Sequence, residues 1–142
     1  AITGPTVVFT ASAGGITQDA NGIITASAGS GLTVNLAAGG TAALTAANNN
    51  VVGLTGTGAV AGNINLNNNG NPLALGTFGA TQNVSITSAG ALSTTAAATF
   101  ASLTVAGTTS FTQSATHDYT LSGITSVTTS GAINLNAAYS GG

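Results

Sequence analysis

Residues 63–87 read NINLNNNGNPLALGTFGATQNVSIT. Ile64 and Leu66 alternate with Asn63, Asn65 and Asn67, and Val84 and Ile86 alternate with Asn83, Ser85 and Thr87. An apolar residue at every second position is the pattern of a β-strand with one face buried. Between the two strands lies NNNGNP, a cluster of residues that tolerate left-handed backbone or fix a turn. The central apolar residues Ile64, Leu75 and Ile86 follow one another at intervals of 11.

The same unit extends in both directions. Segments LTVNLA, SLTV, YTL and AINLN repeat the alternation, and AAGG, AANNN, TSAG, GTTS and TSG separate such segments. One central residue from each gives Val34, Leu44, Leu54, Ile64, Leu75, Ile86, Leu103, Phe111, Leu121 and Ile133, at intervals of 10, 10, 10, 11, 11, 17, 8, 10 and 12. Leu92 lies inside the longest gap. A period near ten, or near twenty with two strands per unit, marks a repeat architecture. Antiparallel β-sandwiches space their short strands similarly, so the sandwich stands as the alternative. Very short strands, few aromatics and small residues at the turns favour a parallel β-helix, whose narrow interior stacks aliphatic side chains in file. Asn-rich turns suggest hydrogen-bonded amide ladders along that stack. The expected core comprises Leu32, Val34, Leu36, Ile64, Leu66, Val84, Ile86, Leu103, Val105, Leu121, Ile133 and Leu135. Only the Ala-rich patch Thr94–Leu103 (TTAAATFASL) admits a helical turn.

Composition narrows the functional classes. The 142 residues include no Lys or Arg, two acidic residues (Asp19 and Asp118), one His and no Cys, with a mean hydropathy of +0.45. Disordered chains combine low hydrophobicity with high net charge; this chain does the opposite and should fold or associate. Without cations it has nothing to neutralise phosphates, which argues against nucleic acid. No apolar run reaches the ~18–20 residues of a membrane helix, and six scattered aromatics do not make the girdles of a membrane barrel. The start, AITGPTVVFT, lacks a basic n-region; a secreted chain of this kind would have its signal removed or located upstream.

The phrases GGITQDANGIITASAGSGLTV (14–34), AALTAANNNVVGLTGTGAVAGNINLNNNGNPLALG (42–76), NVSITSAGALS (83–93) and LTVAGTTSFT (103–112) resemble the repeat region of filamentous-haemagglutinin-type exoproteins. The resemblance spans roughly residues 14–138. It implies a right-handed parallel β-helix, two-partner secretion from a bacterium and a role as a cell-surface rod in adhesion.

Chemical sites are sparse. His117 and Asp118 are the only adjacent ionisable pair, and neighbours in an extended strand point to opposite faces, so a turn role fits them better than catalysis. Two Asp residues about a hundred positions apart and one His do not make a metal set. The glycine-rich stretches SAGSG (27–31) and GLTGTGAVAG (53–62) lack the Lys of a phosphate loop and read as solenoid turns. Asn83–Ser85 (NVS) matches a glycosylation sequon. Paired threonines at Thr94–Thr95, Thr108–Thr109 and Thr128–Thr129 raise an ice-binding reading, but no T-x-T file recurs in every coil.

The sequence therefore predicts one all-β segment over residues 1–142, a right-handed parallel β-helix with about 20 residues per coil. It is expected to be a fragment or mature subunit of a repetitive secreted protein. The expected role is structural: an extracellular or cell-surface rod or self-assembling filament, with no catalytic residue, metal or cofactor. The expected partner is a further copy stacked end to end. The alternative is an adhesin module that contacts a host receptor or polysaccharide.

Overall fold

The alternating segments build a parallel β-solenoid of about six coils in the computed structural model, which describes residues 1–37, 39–57, 62–123 and 125–141. The first coil carries β1 (Ile2–Gly4), β2 (Val7–Ala11) and β3 (Ile16–Thr17). The second carries β4 (Ile24–Ala26), β5 (Leu32–Leu36) and β6 (Thr41–Leu44), and the third β7 (Asn50–Val51), β8 (Gly53–Thr57) and β9 (Gly62–Asn68). The fourth has only β10 (Leu73–Leu75) and β11 (Gln82–Ser88). The fifth holds β12 (Leu92–Thr94), β13 (Ala98–Phe100) and β14 (Ser102–Thr108), and the sixth β15 (Phe111–Gln113), β16 (Tyr119–Leu121) and β17 (Thr125–Thr129). The strands β18 (Ile133–Leu135) and β19 (Tyr139–Gly141) begin a further coil.

Every described strand pair is parallel, which rules out the antiparallel sandwich. Two sheets run the length of the molecule: a seven-stranded one in the order β18-β15-β12-β10-β8-β5-β2 and a six-stranded one in the order β17-β14-β11-β9-β6-β3. Their inner faces enclose the core. Ala42, Ile64, Val84 and Leu103 stand one above another in the six-stranded sheet, as do Leu44, Leu66, Ile86 and Val105. Leu32, Leu54 and Leu75 form a facing file in the other sheet. All of these side chains are buried, so each coil covers the apolar face of its neighbour. The coil step is 26 residues from Ile16 to Ala42 but 19 from Val84 to Leu103, a spread around the expected 20.

The coils also have a third side, and it changes place along the stack. In the first three coils the strands β1, β4 and β7 form a three-stranded sheet on the passage from the six-stranded sheet back to the seven-stranded one. In the later coils that passage is a short turn. The third side is then β13, β16 and β19, on the opposite passage from the seven-stranded to the six-stranded sheet. The fourth coil has neither strand.

Two expectations change. The Ala-rich patch forms strand β13 and the start of β14, because Ala98 and Phe100 point inward onto the third side. Ile133 and Leu135 keep the inward register, beside buried Phe111 and Gln113, yet are 48% and 52% exposed. Their strand is the last of its sheet, so nothing in the described structure roofs it. The other ten expected core residues are buried.

Candidate functional site: corners, outer faces and ends

Polar side chains concentrate where the third side starts, stops or turns. Asn49 is fully buried at the corner before β7. Its Oδ1 accepts from the Ile24 backbone N–H (3.0 Å), and its Nδ2 donates to the carbonyls of Leu44 (3.1 Å) and Asn67 (3.0 Å). The Gln18 amide of the coil below pairs with it reciprocally, at 2.6 and 3.0 Å. This one side chain thereby satisfies backbone groups of two coils and reaches a third through Gln18, in a buried corner where such groups need partners.

Strand β7 ends the early third side, so its upper edge would present unpaired backbone. Asn68 closes that edge: its Oδ1 accepts from Val51 N–H (2.9 Å) and its Nδ2 donates to Val51 C=O (3.1 Å), as a further strand would. The late third side begins over Phe78, whose ring lies 4.9 Å from Phe100; Phe100 in turn meets Tyr119 edge-on at 5.0 Å. Gly56 makes the room. A Cβ there would lie 2.6 Å from Gln82 Oε1, 2.7 Å from Ile64 Cδ1 and 2.8 Å from Phe78 Cδ1. Three of the aromatics that look dispersed in the sequence are thus one interior stack. Their positions 78, 100 and 119 lie about one coil apart, which was the available signal.

His117 and Asp118 sit side by side in the turn before β16 but serve different coils. The His117 Nδ1 lies 3.1 Å from the Thr94 carbonyl in the fifth coil. The Thr94 hydroxyl, 3.1 Å from the same nitrogen, accepts from the Ser114 N–H at 3.0 Å. Asp118 Oδ1 instead accepts from the Ala138 N–H at 3.0 Å, toward the last coil. Gln113, fully buried, donates to the carbonyls of His117 (2.6 Å) and Ala138 (3.2 Å). The constellation clips three coils together, and the carboxylate does not orient the imidazole. Asp19 is exposed in the turn after β3, where it accepts from the Asn21 N–H. Among the described residues no three metal-ligating side chains converge.

The outer faces carry ladders. On the six-stranded sheet Thr41, Asn63, Asn83 and Ser102 are linked coil to coil, by bonds of 3.4, 3.1 and 2.7 Å. On the seven-stranded sheet Asn35 donates to Thr10 (3.0 Å) and accepts from Thr57. Asn83 of the sequon is therefore mid-strand with its amide engaged. Two threonine pairs split across the sheet, with Thr94 and Thr108 buried and Thr95 and Thr109 exposed, and in the third Thr128 is exposed beside half-buried Thr129, so the pairs do not make an outward array. In the stretch 27–31, Gly29 and Gly31 adopt φ of 61° and 65° in the turn before β5. Of the stretch 53–62, residues 58–61 lie outside the described residues.

Concave features lie among the described residues as well, one of about 270 Å³ between Gly29, Ser30, Gly53, Thr55, Gly76 and Thr95. The six-stranded face has a shallow polar depression of about 260 Å³ between Thr45, Asn65, Asn67, Ser85 and Thr87. The first coil opens on an apolar mouth of about 290 Å³ lined by Ile2, Phe9, Ile16, Ile24 and Leu44, with Asp19 at its rim. No protein-family model, curated protein or solved structure matches the chain.

Proposed function

We propose that this protein is a structural, extracellular β-solenoid: a segment of a bacterial cell-surface rod of the filamentous-haemagglutinin type, or a subunit that assembles by its ends. The observation that carries the reading is the placement of its polar chemistry. Asn49, Gln113, His117 and Asp118 bond backbone of neighbouring coils, and Asn68 closes the edge of β7, so the groups that an enzyme would use are spent on stacking. Near-absence of charge suits the same role, since little repulsion opposes association.

The second reading, an adhesin module, draws on the polar depression beside Asn65 and Ser85, whose amides and hydroxyls match the hydrogen bonding of a carbohydrate. Small-angle X-ray scattering and electron microscopy across a concentration series, beside a glycan array, separate the two. Elongated particles or fibres one solenoid wide are expected. Saturable binding of a defined glycan by a chain that stays monomeric throughout would replace the rod with the adhesin module.

A further inference from the structure

An asparagine followed by glycine can modify itself. The glycine amide nitrogen, once deprotonated, attacks the carbonyl carbon of the asparagine side chain and closes a five-membered ring. Glycine suits the second position because it has no Cβ to block the approach and its backbone turns freely. The chain has two such steps, Asn21–Gly22 and Asn69–Gly70. By sequence they are equivalent, but the fold treats them differently.

At the corner between β9 and β10, the Gly70 N–H donates to the Asn69 Oδ1 at 2.7 Å. The carbonyl carbon lies a C=O bond of about 1.23 Å from that oxygen, so nitrogen and carbon are held within about 3.9 Å. A reacting pair needs ~3–3.5 Å, which a small turn of the side chain supplies. The flanks are tied to the corner, since the Asn69 N–H donates to the Asn49 carbonyl at 2.7 Å and the Asn71 Nδ2 donates to the Asn50 Oδ1. Asn69 and Gly70 are exposed, and a Cβ on Gly70 would meet nothing within 4 Å, so water and hydroxide reach the amide. At the other step the Gly22 N–H is bonded to the Asp19 carbonyl at 2.8 Å, and the Gly22 carbonyl accepts from Gln18 at 2.7 Å. Those bonds hold the nitrogen on a backbone acceptor instead of on the Asn21 amide. The Asp19 carboxylate, bonded to the Asn21 N–H at 2.9 Å, also opposes a negative charge on the next nitrogen.

We propose that Asn69 is a self-modification site, converted by deamidation in the folded protein while Asn21 is protected. Hydroxide takes the Gly70 amide proton, the nitrogen bonds to the Asn69 Cγ, and the side-chain nitrogen takes a proton from water and leaves as ammonia. Water then adds to the succinimide. Cleavage of its Cγ–N bond leaves aspartate with the original main chain, and cleavage of its backbone C–N bond leaves isoaspartate, with the main chain running through Cβ and Cγ. Either product carries a carboxylate on an exposed corner of a chain that has no other charged side chain between Asp19 and Asp118. The site lies outside the reading of the protein as a rod and stands whether or not copies assemble.

The test ages the purified chain at mildly alkaline pH in heavy-oxygen water, folded and in urea. Peptic peptides are read by mass spectrometry, because trypsin has no Lys or Arg to cut at. In the folded chain Asn69 is expected to lose ammonia and take up heavy oxygen at least about tenfold faster than Asn21, and in urea the two rates are expected to converge. The variant G70A, whose added methyl meets open space, is expected to keep the fold and lose the conversion. Equal conversion of Asn21 and Asn69 in the folded chain would overturn the proposal. So would an Asn69 that stays intact when folded while the chain in urea reacts, or a G70A chain that converts as fast as the wild type.

Discussion

At the scale of single residues, this fold depends on where small and amide side chains fall. Gly56 is an interior position occupied by glycine because Phe78, Ile64 and Gln82 already fill the space a Cβ would take. The substitution G56A is expected to cost about 1–3 kcal/mol through overpacking, whereas G70A, with nothing within 4 Å of its added Cβ, should leave the urea midpoint unchanged. Asn49→Leu strands the Ile24 N–H and two carbonyls in a dry corner, for an expected loss of about 2–4 kcal/mol in the same titration. Ser88 offers the converse. Its buried hydroxyl has no partner among the described residues, so S88A is expected to be neutral or stabilising by up to about 1 kcal/mol in thermal melts. None of these roles was legible in the sequence. Asn49 and Asn68 lie in Asn-rich runs where neighbours such as Asn48 and Asn69 are exposed, and only the coil register decides which amide points inward.

Single strands were more readable. The alternation in NINLN and NVSIT placed Ile64, Leu66, Val84 and Ile86 inside because period two is a local property of extended backbone. Two kinds of element escaped that reading. Short third-side strands such as β13 carry one or two inward residues, too few for a period, so the Ala-rich patch also fitted a helical turn. The aromatic stack depends on the late third side: Phe100 on β13 lies between Phe78 of the fourth coil and Tyr119 on β16. Phe100→Ala removes the middle ring and is expected to cost about 3–5 kcal/mol, read as a fall in the thermal midpoint. The change of side also leaves the fourth coil with two strands where its neighbours have three. Asn68 and Phe78 act there as plugs for strands that end or begin.

For the whole molecule, a stack of coils whose neighbours alone touch should lose structure from its ends. Amide hydrogen exchange is expected to be faster in β2 and β3, which pair on one side only among the described strands, than in β9 and β11, which have paired strands on both sides. The global period was visible in the sequence as spacing near ten, but spacing by itself also fitted a sandwich, since it carries no strand direction. Which strand pairs with which is the central claim, and nuclear Overhauser contacts between backbone protons test it most directly. The account predicts parallel contacts of Ser85 with Asn65 on one side and with Thr104 on the other, at separations of 20 and 19 residues. Antiparallel contacts joining residues 62–68 to the next strand in sequence, at 73–75, would contradict it.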